Sequence, residues 1–127
     1  LWREAGASAP LGVVSLDSGA LDVPQTMRRP RLPPLYHRAF GADPDDWVAA
    51  SPQHQLTAQA VPMLLVCSTR RNDACPQARA FQAEAATLGV AMEVLPQALS
   101  HRQLNRELGL PSDYTAAVDR WLDALAR

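Results

Sequence analysis

A chain of 127 residues is long enough to bury a core by itself and is the size of one ordinary domain. With 47% hydrophobic and 20% charged residues it sits near the average for a soluble globular protein. Its formal charge of −1 leaves no electrostatic footprint for a nucleic acid or an anionic membrane, and no apolar run approaches the ~20 residues of a membrane span. All 12 basic residues are arginine and none is lysine, which, with the abundant alanine, reads as genomic base-composition bias. Leu1-Trp2-Arg3-Glu4-Ala5 has no signal-peptide apolar region and no initiator Met, so the expectation is a chain that begins after processing or part-way through a longer protein. Cys67 and Cys75 allow at most one bridge; the reading is two reduced, mostly buried thiols, with a cytoplasmic setting following from it.

In chain order, Leu11-Gly12-Val13-Val14-Ser15-Leu16 is a β-branched apolar run that ends at Ser18-Gly19 and reads as a buried strand. Residues 23–34 hold Pro24, Pro30, Pro33 and Pro34 and predict an irregular connection, because each proline removes a backbone donor. Asp43-Pro44-Asp45-Asp46 opens a short helix: Asp43 caps, Pro44 suits the first position, and two carboxylates face the positive end of the dipole. Ser51-Pro52 stops it. Residues 61–68 form the strongest strand, apolar without alternation, as a central parallel strand covered on both faces requires.

A polar loop follows over residues 69–76. Ala78, Phe81, Ala85 and Leu88 then make one stripe of a helix over 77–88, closed by Gly89. Residues 91–95 are the next strand, and 96–110 a loop with at most a helical turn. The last helix starts near Ser112 or Asp113, with Tyr114, Val118, Trp121, Leu122 and Leu125 on one face. Strand, long excursion, strand, helix, strand, loop, helix is the rhythm of a parallel sheet with crossover helices. Three strands leave an edge open, so the fold class is α/β and the sheet looks like half of a larger one.

Ligands of open parallel sheets bind beyond the carboxyl ends of the strands. Two loops there carry titratable residues: Asp73 follows the central strand, and His101 follows the last one. On adjacent strands, Asp73 can hold the His101 imidazole in one tautomer and stabilise its charged form.

Pro62-Met63-Leu64-Leu65-Val66 followed by Asp73-Ala74-Cys75-Pro76 resembles the acid-bearing segment of α/β-hydrolases, and residues 77–89 resemble the helix that follows it. Leu99-Ser100-His101, trailed by Asn105 and Leu108-Gly109, resembles the base-bearing stretch of the carboxylesterase branch, which includes feruloyl-esterase-like and kynurenine-formamidase-like enzymes. Ser18-Gly19-Ala20-Leu21-Asp22 is similar to the turn after the strand that follows the nucleophile helix, and Ala50-Ser51-Pro52 to the segment before the acid strand. The resemblance implies that residues 1–127 are the C-terminal portion of one α/β-hydrolase domain, with a cap-like connection over about 23–60. It also implies that Asp73 is the triad acid and His101 the base.

The departures are as informative. The chain has no G-x-S-x-G elbow and no HGG-type oxyanion loop; both belong upstream of Leu1. Ser8, Ser15 and Ser18 do not substitute for the nucleophile. The expected function is a serine hydrolase on small ester or amide substrates, inactive as these 127 residues alone, needing no cofactor or metal. The open edge also suits pairing with a second copy or with the missing half. The alternative is a non-catalytic hydrolase-like scaffold or partner-binding domain. Arg70 and Arg71 read as solvated, with Arg70 a candidate for lining an acyl or acid pocket. His37 and His54 read as exposed or satisfied. Leu35, Tyr36 and Phe40 either contact an acyl group or pack on the sheet. Cys75 has no base to activate it.

Overall fold

The central apolar run organises the sheet. In the computed structural model, which describes Gly6 and residues 8–127, the elements in chain order are β1 (Val13–Leu16), α1 (Val23–Met27), α2 (Pro34–Phe40), α3 (Pro44–Ala49), α4 (Pro52–Gln55), β2 (Met63–Ser68), α5 (Ala74–Thr87), β3 (Met92–Gln97), α6 (His101–Glu107) and α7 (Asp113–Leu125). The opening Leu1 to Ala5 stretch lies outside the described residues. The result is a small α/β domain: a three-stranded parallel sheet in the order β1-β2-β3, flanked by helices.

Because successive side chains of a strand point to opposite faces, β2 feeds two cores. Leu65 and Cys67 pack with Ala78, Phe81 and Ala85 of α5. Leu64 and Val66 pack with Leu104 of α6 and with Tyr114 and Val118 of α7. Each such large side chain contributes about 1.5–3 kcal/mol on full burial, so β2 is held from both sides. The Tyr114 hydroxyl donates to the Leu104 carbonyl at 3.1 Å and ties α7 to α6, and burial pushes its phenol pKa up.

The helix expected from Asp43 is present as α3, and two stretches expected to be irregular are helical in part. Residues 23–60 hold α1 to α4, and each of these helices carries proline in its first two positions. Proline excludes itself from a helix interior, but its missing N–H costs nothing in the first turn. The prolines therefore mark starts rather than breaks. Likewise α6 replaces about half of the expected loop: Ser100 and Gln103 form a reciprocal capping box, so His101 is the first residue of a helix. Pro76 also falls in a first turn, that of α5, which begins at Ala74 rather than at residue 77.

The connection after β1 is fixed by two buried polar side chains. Gln77 Oε1 accepts from the Leu21 and Asp22 N–H groups at 3.0 and 3.3 Å, while its Nε2 donates to Thr26 Oγ1 at 3.1 Å and to the Gly19 carbonyl. Ser51 Oγ accepts from Val23 N–H and donates to the Leu21 carbonyl, both at 3.2 Å. Each of these two side chains is fully satisfied, as burial demands.

Cys67 and Cys75 are disulfide-bonded, not reduced. The end of β2 and the first turn of α5 bring their Cα atoms to 5.1 Å, within the span a disulfide bridges. The cytoplasmic setting inferred from free thiols loses its premise. Among the described residues, no helix is long and apolar enough to cross a membrane.

Among the described residues, no strand pairs with the outer edge of β1 or of β3. Val13 and Asp17 N–H groups donate to the Pro62 and Val66 carbonyls at 2.9 and 2.8 Å, so the backbone groups of the alternate residues Val14 and Leu16 face away from β2. Val13, on the α5 side, is 36% exposed, because α5 packs over β2 and β3.

Candidate active site

The chemistry-bearing side chains gather where the three strands end. Asp17 follows β1 directly and has a φ of 56°, a left-handed conformation uncommon outside glycine but tolerated by Asp. In a parallel ladder the rung after Asp17 N–H to Val66 O runs from the Ser68 N–H to the Asp17 carbonyl. The left-handed turn swings that carbonyl away. Ser68 N–H instead donates to Asp17 Oδ1 at 2.7 Å, so a carboxylate completes the ladder. The freed carbonyl accepts from Arg71 Nη1 at 3.0 Å.

His101 is presented at the start of α6 by the Ser100 cap. Its Nδ1 lies 3.0 Å from Asp17 Oδ2. The Asp17 side chain is 0% exposed and the His101 side chain 60% exposed, so a buried carboxylate holds an accessible ring. The other partners of this carboxylate, Ser68 N–H and Arg71, are donors. An ionised carboxylate only accepts, so the proton of a neutral His101 belongs on Nδ1 and the lone pair on Nε2.

Asp73 sits on the same edge, at the N-terminus of α5, but is not on His101. Its Oδ1 accepts from Arg71 Nε at 3.1 Å; its Oδ2 accepts from Arg71 Nη2 at 3.0 Å and from Arg29 Nη1 at 2.6 Å. Arg71 thus forks onto Asp73 and spends its remaining nitrogen on Asp17, Nη1 to Oδ2 at 3.1 Å. Partial burial raises the Asp73 pKa, but the hydrogen bonds and charges of Arg29 and Arg71 outweigh it and hold the carboxyl below its ordinary range. Burial also works against the charge of Arg71, and Asp73 and Asp17 reverse that and raise its pKa. The structure therefore brings together four charged groups in alternating sign, Arg29, Asp73, Arg71 and Asp17, with His101 at the end.

Arg71 is not a solvated residue, as the sequence had suggested; it bridges the two carboxylates. Arg70 reaches α6 instead, Nη1 to Gln103 Oε1 at 3.1 Å. Gly19 leaves room for this arrangement: a Cβ there would strike Arg71 Nη2 and come within 3.1 Å of Tyr36 Oη. Tyr36 and Phe40 stack on each other along α2, which buries no residue, and Leu35 is 63% exposed. His54 Nδ1 lies 2.9 Å from Ser51 Oγ, but that oxygen is buried and already engaged with backbone, so the pair is a structural clasp. His37 is exposed. Cys75 is in the disulfide and is no nucleophile. An open cleft of about 600 Å³ lies beside the arginines, lined by Asp22, Gln25, Arg29, Asn72, Asp73 and Gln77 among others. Among the described residues, no group of three or more His, Cys, Asp or Glu is placed to hold a metal.

The sequence reasoning that selects Asp73 and His101 passes over Asp17, although the signal is present: Asp17 is the first residue after the apolar run of β1. No known protein family, curated protein or solved structure matches this chain.

Proposed function

We propose that these residues form the acid–base part of a serine hydrolase of the carboxylesterase type, acting on small ester or amide substrates. The nucleophilic serine and the oxyanion donors would come from outside the 127 residues. The observation that carries the reading is the His101 ring: Nδ1 on a buried carboxylate, an exposed ring, and a position at the carboxyl edge of a parallel sheet. That is the arrangement a general base needs to take a proton from a hydroxyl and return it to a leaving group. The resemblance to α/β-hydrolases supports the same reading through His101 and through the carboxylate loop of Asp73. The test is covalent labelling by a fluorophosphonate of the protein encoded by the longest reading frame that contains this chain. Labelling is expected, along with p-nitrophenyl ester turnover that His101→Ala abolishes. Absence of labelling, or full activity in His101→Ala, overturns the reading.

A second reading, a non-catalytic scaffold that binds a partner, is favoured by the outer edge of β1, which no other strand among the described residues pairs with. It predicts no labelling and association through that edge.

A further inference from the structure

The geometry points to Asp17, not Asp73, as the carboxylate that positions His101. The inference rests on the hydrolase reading and changes its assignment of the acid. Three observations carry it. Asp17 Oδ2 is at hydrogen-bond distance from Nδ1, and the carboxylate behind it is wholly buried and anchored at Oδ1 by the backbone of Ser68. Asp73 is turned to the arginines instead: Arg71 donates to Oδ1, and Arg71 with Arg29 donate to Oδ2. Asp17 is also the one non-glycine residue with positive φ among the described residues, and such outliers persist where the surroundings over-determine them, often at functional sites.

The step this serves balances without any further reactant than the serine-type hydroxyl and the ester. As the hydroxyl oxygen bonds to the carbonyl carbon, the carbonyl π pair moves onto its oxygen and the hydroxyl proton passes to His101 Nε2. The imidazolium then faces Asp17, which keeps Nδ1–H as a hydrogen bond and takes no proton. On collapse the oxyanion pair re-forms the carbonyl, leaving the acyl group on the hydroxyl oxygen, and the bond to the leaving alkoxide or amine breaks as that group takes the proton back from Nε2. Asp73 acts one residue further away. It holds Arg71, which would otherwise turn its whole charge on the oxygen that His101 needs.

Nitrogen-15 and proton NMR of the histidine rings tests the assignment without requiring turnover. In the unsubstituted chain His101 is expected as the Nδ1–H tautomer with a low-field Nδ1 proton, retained in Asp73→Asn and lost in Asp17→Asn. Loss in Asp73→Asn alone, equal loss in both, or loss in neither overturns the proposal. Should Asp17→Asn fail to fold, carbon-13 shifts of the carboxyl groups in the unsubstituted chain decide it. The Asp17 carboxyl is expected to follow the protonation of His101, and the Asp73 carboxyl following instead would overturn the proposal. In the unlabelled full-length enzyme, Asp17→Asn is expected to lower kcat by on the order of 10⁴-fold and Asp73→Asn by about tenfold or less, and the reverse order overturns it. If the NMR holds and no hydrolysis exists, the bond from His101 to Asp17 stands and the hydrolase reading is what fails.

Discussion

Asp17 and Ser68 join β1 to β2 through a side chain where the ladder would use backbone. The Ser68 N–H meets Asp17 Oδ1 at 2.7 Å, and the left-handed φ of Asp17 is what turns its own carbonyl out of that place. The same carboxylate then reaches Arg71 and His101 with its second oxygen. A residue that terminates a strand thereby anchors the site.

Substitution at residue 17 should separate backbone strain from the loss of an acceptor. Asp17→Asn keeps an acceptor for Ser68 and tolerates the left-handed turn, so it should be the mildest. Asp17→Gly relieves φ but orphans a buried donor, and Asp17→Ala does that while keeping the strain. An orphaned buried donor costs about 1–3 kcal/mol, and a left-handed alanine a further 1–2 kcal/mol or so. Urea midpoints should fall in the order Asn, Gly, Ala.

Asp73 gives the protein a term of acid sensitivity. Its folded-state pKa is depressed by Arg29 and Arg71 against the opposing pull of burial. The sign follows by linkage: the stabilisation is fully present above the unfolded-state pKa of about 3.9 and is lost as pH falls through the lower folded value. Urea stability of the unsubstituted chain should exceed that of Asp73→Asn at pH 6. The gap should narrow below about pH 4 as the carboxyl protonates.

Gly19→Ala should act through Arg71. The new Cβ meets the flexible end of the guanidinium rather than backbone, so the arginine shifts and the chain still folds. The two substitutions Gly19→Ala and Arg71→Ala should be non-additive in a double-mutant cycle, with a coupling of about 0.5–3 kcal/mol. Additive losses would place the effect of Gly19 elsewhere.

Reduction of the disulfide should loosen the loop that carries Arg71 and Asp73. Cys67 and Cys75 are separated by 8 residues in sequence. Closing so short a loop is worth roughly 2–3 kcal/mol in the chain-entropy account. Thermal melts with and without reductant should differ, and a Cys67→Ala, Cys75→Ala variant should melt alike under both conditions.

Local and periodic features were legible from the residues alone. The unbroken apolar run at Met63-Leu64-Leu65-Val66-Cys67 announced a strand covered on both faces, and it lies between its neighbours with both faces packed. Asp43 caps α3 through Asp45 N–H at 3.0 Å, as its place before Pro44 implied, and Ser112 caps α7. Pro24, Pro34 and Pro52 misled, because a proline reads the same whether it ends a helix or begins one. At residues 100–107 the signal was the Ser100 and Gln103 spacing, which outweighed the polar, loop-like composition around it.

What the sequence determined by itself, then, was the α/β rhythm, the three strands and the edge of the sheet at which Asp73 and His101 stand. Those follow from hydrophobic period and capping chemistry, which act over a few residues. Only the tertiary structure decided which carboxylate meets His101 and whether Cys67 and Cys75 join. Asp17 and His101 are 84 residues apart, and their contact depends on a competition in which two arginines engage Asp73 while Asp17 Oδ2 takes both Arg71 and His101. No local pattern encodes the outcome of that competition, because it is settled by distances among side chains that meet only once the sheet has formed.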